Sequence, residues 1–231
     1  MVLYLIGVDY NTADLRTREA VYGIRDEVVR FWLVPGKQRA ALFTCNRIEL
    51  YGISADIFSA SRKIEAFRNR FPLIFEHSYV KQGNEKVVEH ALRLAVGLES
   101  QLRGEREVFE QLMAWTEQRS FPGLLKGIWT DVLVKAEDIS AASGLDEHED
   151  NIAKVIFNDL NRRIDLDKEK KIAIIGTGKV ARIFSENKED RTTLYFVARK
   201  KHKRARRLAR LSNSTAVLQK TQNPCFYQWT P

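Results

Sequence analysis

Ala41-Leu42-Phe43-Thr44-Cys45-Asn46-Arg47-Ile48-Glu49-Leu50-Tyr51-Gly52 is the stretch that decides how this chain folds. The apolar residues on either side of Cys45 read as two short buried strands, near 39–44 and 48–53. The residues between them then make a tight connection at a sheet edge, where a side chain can face a cleft. Arg47, two residues after Cys45, favours the thiolate, the nucleophilic form of the thiol. Most isolated cysteines are small buried hydrophobes, so the weight of the reading rests on the neighbours of Cys45.

Outward from this hairpin the period of the apolar residues alternates between strand and helix. Residues 2–8 read as a strand. Asn11-Thr12-Ala13-Asp14 is a turn that starts a helix reaching about Arg30, and Pro35-Gly36 is a turn. A helix near 56–70 stops before Pro72, and Leu73 to Val80 reads as another strand. The order strand, helix, strand, strand, helix, strand is the split βαβ pattern of a small α+β sandwich.

Helices follow. Over 86–102, Val87, Val88, Ala91, Leu94, Ala95, Leu98 and Leu102 recur at helical spacing, and Gly104 breaks the pattern. Further helices are predicted near 106–118, 123–142 and 149–164. His90 shares the apolar face of the 86–102 helix, four residues before Leu94. A histidine in that position is more often a satisfied buried side chain than a catalyst. A link to Cys45 would let it exchange a proton with the thiol or act on a carbonyl.

The period then changes again. Lys171 to Ile175 is a short apolar strand. It runs into Gly176-Thr177-Gly178-Lys179-Val180-Ala181, which opens a helix. In that setting the first glycine makes a tight turn, the second admits a pyrophosphate, and the small residue at 181 lets helix and strand pack closely. The next strand, 194–198, ends at Arg199. A basic residue there accommodates a 2′-phosphate, whereas an acid would bind a ribose hydroxyl, so NADP is favoured over NAD. The plain alternative is a glycine turn in an ordinary βα unit.

The chain has 231 residues, 44% of them hydrophobic, enough for one large or two modest domains. The two cysteines, Cys45 and Cys225, exclude a disulfide scaffold and fit a reducing compartment. The N-terminus lacks the form of a signal peptide, and no segment reaches the ~18 apolar residues of a membrane span. A cytoplasmic protein without a membrane partner is expected. The formal charge is +8, and residues 199–210 hold eight Lys or Arg and no acid. Such a run suits phosphate, of a nucleotide or of a nucleic-acid backbone, or is simply a solvated helix face. The acidic 145–150 segment suits the N-terminal end of a following helix. No metal site is read.

Three blocks, Ile6 to Ala13, Thr44 to Tyr51, and His90 through Leu98-Glu99-Ser100 to Gly104-Glu105, resemble the glutamyl-tRNA reductase family in order and spacing. The resemblance covers about residues 2–210. It implies reduction of glutamyl-tRNA by NADPH to glutamate-1-semialdehyde, the first committed step of five-carbon tetrapyrrole (haem) synthesis. It implies Cys45 as nucleophile forming a glutamyl thioester and His90 as its catalytic support. Thr44, Asn46, Arg47, Ser100, Glu105, Arg106, Glu107 and Gln111 would hold the substrate, Arg47 by pairing with the glutamate carboxylate. Gly176, Thr177, Gly178, Lys179, Val180, Ala181 and Arg199 would bind NADPH. Two departures stand out. Glu107 replaces a common family glutamine, and Tyr10 stands where many members have histidine.

The expected organisation is an α+β catalytic domain over 1–145 (split βαβ sandwich plus helices), a connecting helix over 146–167, and a partial α/β Rossmann nucleotide-binding domain over 168–231. The expected organisation lacks the C-terminal dimerisation domain that the resemblance implies for a homodimeric family. Expected partners are glutamyl-tRNA and the next tetrapyrrole enzyme. The alternative is a shortened remnant that binds tRNA or a partner protein without full catalysis.

Overall fold

The computed structural model describes residues 1–44, 46–102, 104–144, 152–163, 169–198 and 202–218. The chain divides into two compact units, Met1–Glu149 and Asp150–Pro231.

The first unit is built on a four-stranded antiparallel sheet with strand order β2-β3-β1-β4, from β1 (Val2–Asp9), β2 (Arg39–Phe43), β3 (Arg47–Ser54) and β4 (Tyr79–Gln82). Both faces of the sheet are covered, which is why β1 reads as a continuous apolar run. Tyr4, Ile6, Val8, Ile48 and Leu50 point to one face. There they pack on α1 (Leu15–Gly23), α2 (Arg25–Trp32), α3 (Ile57–Arg70) and α4 (Pro72–Glu76). Leu3, Leu5, Leu42 and Tyr51 point to the other face, under α5 (Asn84–Ala95), α6 (Arg106–Thr116) and α7 (Gly123–Ser143). Because strand side chains alternate, Arg47 and Glu49 share the α5 face with Tyr51.

Three expected elements differ. The helix expected to reach Arg30 is two helices, divided at Gly23-Ile24, where the backbone amide of Ile24 closes α1 on Tyr22 and Val21; glycine is a weak helix former. The first half of the strand expected over Leu73–Val80 is helix. Pro72 sits in the first turn of α4, where its fixed φ favours helix, and only Tyr79–Gln82 pairs with β1. The helix expected over 86–102 ends at Ala95. Gly97 takes φ +77°, and Leu98 N–H closes on Arg93 O at 2.8 Å, a helix-ending bond pattern that a left-handed glycine permits. The following residues fold back, with Gly104 N–H on Gly97 O.

The second unit is a three-stranded parallel sheet, order β5-β6-β7, from β5 (Lys170–Ile175), β6 (Thr192–Ala198) and β7 (Thr215–Leu218). It carries α9 (Lys179–Glu186) and α10 (His202–Leu211) as crossovers, as parallel strands require. Helix α8 (Ile152–Arg163) joins this core through Ala153 and Phe157, with Phe157 edge-on to Phe184 at 5.5 Å. Among the described residues no helix is long and apolar enough to cross a membrane.

Candidate functional site

The first unit holds a buried carboxylate on which several polar side chains converge. Glu49 lies mid-strand in β3 and is fully inaccessible to solvent. Its Oε1 accepts from Arg47 Nη1 at 2.9 Å and Tyr79 OH at 2.6 Å, and lies 3.0 Å from His90 Nε2. Its Oε2 accepts from Tyr51 OH at 2.5 Å. The register of the sheet explains the convergence. Glu49 and Tyr79 both pair with Gly7 across β1. A Cβ at Gly7 would lie 2.3 Å from the Tyr79 ring, so only glycine lets that ring cross the strand and deliver its hydroxyl to Glu49.

Burial pushes the Glu49 carboxyl up, but His90, Arg47 and Tyr51 outweigh it and hold the group below the usual carboxylate range. Burial and the Glu49 charge push Tyr51 and Tyr79 above the ordinary phenol range. Burial disfavours the charge of Arg47, yet Glu49 and further neighbours raise its basicity overall. Arg47 Nη2 also donates to the backbone carbonyl of Glu99, in the segment that folds back after α5. One guanidinium therefore ties the hairpin to the far end of the α5 region.

The turn itself is shaped by Thr44. Its Oγ1 accepts from the backbone amides of Asn46 and Arg47 at 3.2 Å each, and its own amide donates to Arg47 O at 2.9 Å. Cys45 and Arg199 lie outside the described residues. Ser100 is buried, and its hydroxyl makes no hydrogen bond among the described residues. β2 is an edge strand, and an open cleft runs along it between α2 and α6, lined by Arg25, Phe43, Thr44, Gln111 and Trp115 among others.

Apart from Ser100, the expected substrate residues fall into three groups. Thr44, Asn46 and Arg47 shape the turn, and Arg47 meets His90 through Glu49. Thr44 and Gln111 share the edge cleft, where Gln111 Nε2 donates to Glu107 Oε1 at 2.9 Å. Glu105 and Arg106 line a separate small cavity beneath α5 and α7. Sequence reasoning missed Glu49, Tyr51 and Tyr79, and it missed Arg25, whose guanidinium stacks 4.8 Å over Phe43 at the cleft. The alternation Arg47-Glu49-Tyr51 within an apolar strand was the available signal. In the second unit, Gly176 takes φ +114° at the end of β5, and Gly178 precedes the first residue of α9.

A family model described as the N-terminal domain of glutamyl-tRNAGlu reductase matches residues 6–140, more than half of the chain. The chain belongs to the glutamyl-tRNA reductase family. The glutamyl-tRNA reductase of Alcanivorax borkumensis is 30% identical over 230 residues, covering 90% of this chain and 53% of the relative. That of Thermus thermophilus is 28% identical over 202 residues, covering 79% and 46%. The solved glutamyl-tRNA reductase of Methanopyrus kandleri matches with a TM-score of 0.57 at 21% identity, over 94% of this chain and 54% of that one. The chain spans about half the length of these glutamyl-tRNA reductases.

Proposed function

We propose that this chain transfers the glutamyl group of glutamyl-tRNA to Cys45 as a thioester, and that the thioester is reduced to glutamate-1-semialdehyde, opening the five-carbon route to tetrapyrroles. The observation that carries this reading is the Glu49 carboxylate, which holds Arg47 of the cysteine hairpin and His90 of α5 in one buried array. The Cys45 thiolate attacks the ester carbonyl. A C–S bond forms, the C–O bond to the tRNA ribose breaks, and the ribose oxygen takes up a proton. With Nε2 of His90 directed at Glu49, Nδ1 is the ring nitrogen left to exchange that proton. Arg47 uses two of its N–H donors on Glu49 and Glu99, leaving three for a substrate carboxylate. The buried Ser100 hydroxyl is a further unspent donor.

The second unit is read as the first part of a Rossmann domain for NADPH. A Cβ at Gly176 or Gly178 would meet nothing within 4 Å, so this loop offers bare backbone to open space. Ala181 is buried in the core, where a small side chain keeps α9 close to the sheet. Gly176 to Ala181 would hold the pyrophosphate and Arg199 the 2′-phosphate. NADPH, when bound, would supply the hydride that reduces the acyl group.

The second reading is a tRNA-binding relative that stops short of turnover. The Glu107–Gln111 hydrogen bond favours it, because it engages Gln111 and places a carboxylate beside a cleft meant for an acidic substrate. Single-turnover incubation with labelled glutamyl-tRNA, with and without NADPH, tests both. Protein-bound label that is lost in Cys45→Ser, and semialdehyde only with NADPH, is the expected result. Serine offers no comparably ionisable nucleophile near neutral pH. Equal turnover of free glutamate, or undiminished ester cleavage by Cys45→Ser, would refute the thioester reading. Labelled protein without semialdehyde would select the second.

A further inference from the structure

Net charge divides sharply between the two units. Residues 1–149 hold 19 Lys and Arg against 22 Asp and Glu, a net charge of −3, whereas residues 150–231 hold 19 against 8, a net charge of +11. Within the second unit the excess is organised by α10. This helix buries Ala205, Leu208 and Ala209 in the core, which turns Lys203, Arg206, Arg207 and Arg210 to solvent. Spaced at i, i+3, i+4 and i+7, these four share one face, and with Leu211 they line a single open concavity.

Two features set this row apart from ordinary surface charge. None of the four side chains forms an ion pair or hydrogen bond among the described residues, although Arg163, Lys170 and Arg182 of the same unit pair with Asp159, Glu189 and Glu186. The row also opposes the stability of its own helix. Like charges at i,i+3 and i,i+4 repel, and Lys203 stands in the first turn, where the helix dipole disfavours a cation. A bound polyanion relieves both.

We propose that this face of α10 binds the phosphate backbone of a folded RNA, namely the tRNA of the reaction proposed above. The RNA's identity rests on that reading; the backbone binding does not. At about 1.5 Å per residue, Lys203 to Arg210 extend about 10 Å, which suits a run of phosphates better than a single one. The exposed face carries no aromatic ring on which a base could stack. The surface therefore grips backbone without reading sequence.

The test is fluorescence anisotropy with uncharged tRNA and the full chain, between about 50 and 200 mM salt, where phosphate contacts respond steeply. In the variant combining Lys203→Gln, Arg206→Gln, Arg207→Gln and Arg210→Gln, affinity should fall more than tenfold. The slope of log affinity against log salt should flatten by about 3–3.5, at roughly 0.7–0.9 for each of the four phosphate contacts. The double variant Arg207→Gln/Arg210→Gln should lie between it and the wild type. The exposed set Lys86→Gln/Arg119→Gln/Lys126→Gln in the first unit should leave binding unchanged, and non-cognate tRNA should bind comparably. Glutamine is a good helix former, and unchanged circular dichroism would confirm the fold of each variant. Wild-type affinity and slope in the quadruple variant would overturn the proposal, as would displacement of tRNA by saturating NADPH. Uncharged tRNA needs no chemistry at Cys45. Cys45→Ser should therefore bind it normally, and this surface can stand even if the thioester reading fails.

Discussion

Glu49 stands between Ile48 and Leu50, yet it faces the opposite core from theirs and accepts from Arg47 Nη1 inside the sheet. Desolvating a carboxylate costs several kcal/mol; here three donors and His90 offset it. Glu49→Gln keeps the shape but removes the charge and leaves the buried Arg47 guanidinium without its ion-pair partner. Chemical denaturation should show a loss of about 3–5 kcal/mol, and an unchanged midpoint would mean Arg47 finds other compensation. Tyrosine ionisation reports on the same array. Burial raises Tyr4, Tyr51 and Tyr79, and the Glu49 charge adds to the shift of the last two. A group whose pKa is raised by folding contributes stability below its unfolded value, about 10 for tyrosine. That stability declines as pH climbs past this value, because the unfolded chain releases protons that the fold retains. Ultraviolet titration should therefore leave three of the seven tyrosines un-ionised until the protein unfolds. Ionisation of all seven in the native state would contradict the burial of this array. The Glu49 shift has the opposite sign. Its contribution is present above about pH 4.3 and is lost only as pH falls well below the ordinary carboxylate range.

At the scale of elements, the crossing of Tyr79 over Gly7 joins β4 to the array. A methyl group at position 7 would collide with that ring at 2.3 Å. Gly7→Ala should cost about 1–3 kcal/mol by overpacking; Tyr79→Phe, which loses the hydrogen bond to the charged Glu49 and the longer contact to His90, should cost about 1.5–3 kcal/mol. A Gly7→Ala variant that unfolds at the wild-type temperature would show that the ring yields without strain. The hairpin around Cys45 was legible because apolar runs on each side of a polar tetrapeptide leave little choice of structure. The end of α5 was not, since Leu98 and Leu102 continue the helical spacing after Gly97 has turned the chain. The Leu73–Phe75 run was too short for its period to separate strand from helix, and Pro72 decided it. The Glu49–His90 contact spans 41 residues of sequence, and no local pattern encodes a meeting at that distance. It follows from sheet register and from the rotation of α5 on the sheet.

At the scale of the molecule, each unit closes its own core. The clusters on the two faces of the antiparallel sheet contain no residue of the second unit, and the cluster around Phe157, Phe184 and Phe196 contains none of the first. Damage to one core should therefore spare the chemistry assigned to the other. Phe196 is fully buried mid-strand in β6, paired with Ile174 on one side and Ala216 on the other. Phe196→Ala removes the ring and leaves a cavity, a change that typically costs about 3–5 kcal/mol. A three-stranded sheet with few covering helices has little stability to lose. Hydrogen exchange should quicken across β5, β6 and β7 while β1 and β3 keep their protection. In the proposed reaction the variant should bind tRNA more weakly, because α10 packs in the same core, yet at saturating glutamyl-tRNA it should still form the glutamyl thioester on Cys45, since Arg47, Glu49 and His90 all belong to the first unit. It should fail at the NADPH-dependent step, so labelled glutamate accumulates on the protein or is released by hydrolysis. Loss of thioester formation at saturating glutamyl-tRNA, in a variant whose first unit keeps its exchange protection, would show that the second unit takes part in acyl transfer itself and not only in tRNA binding and reduction.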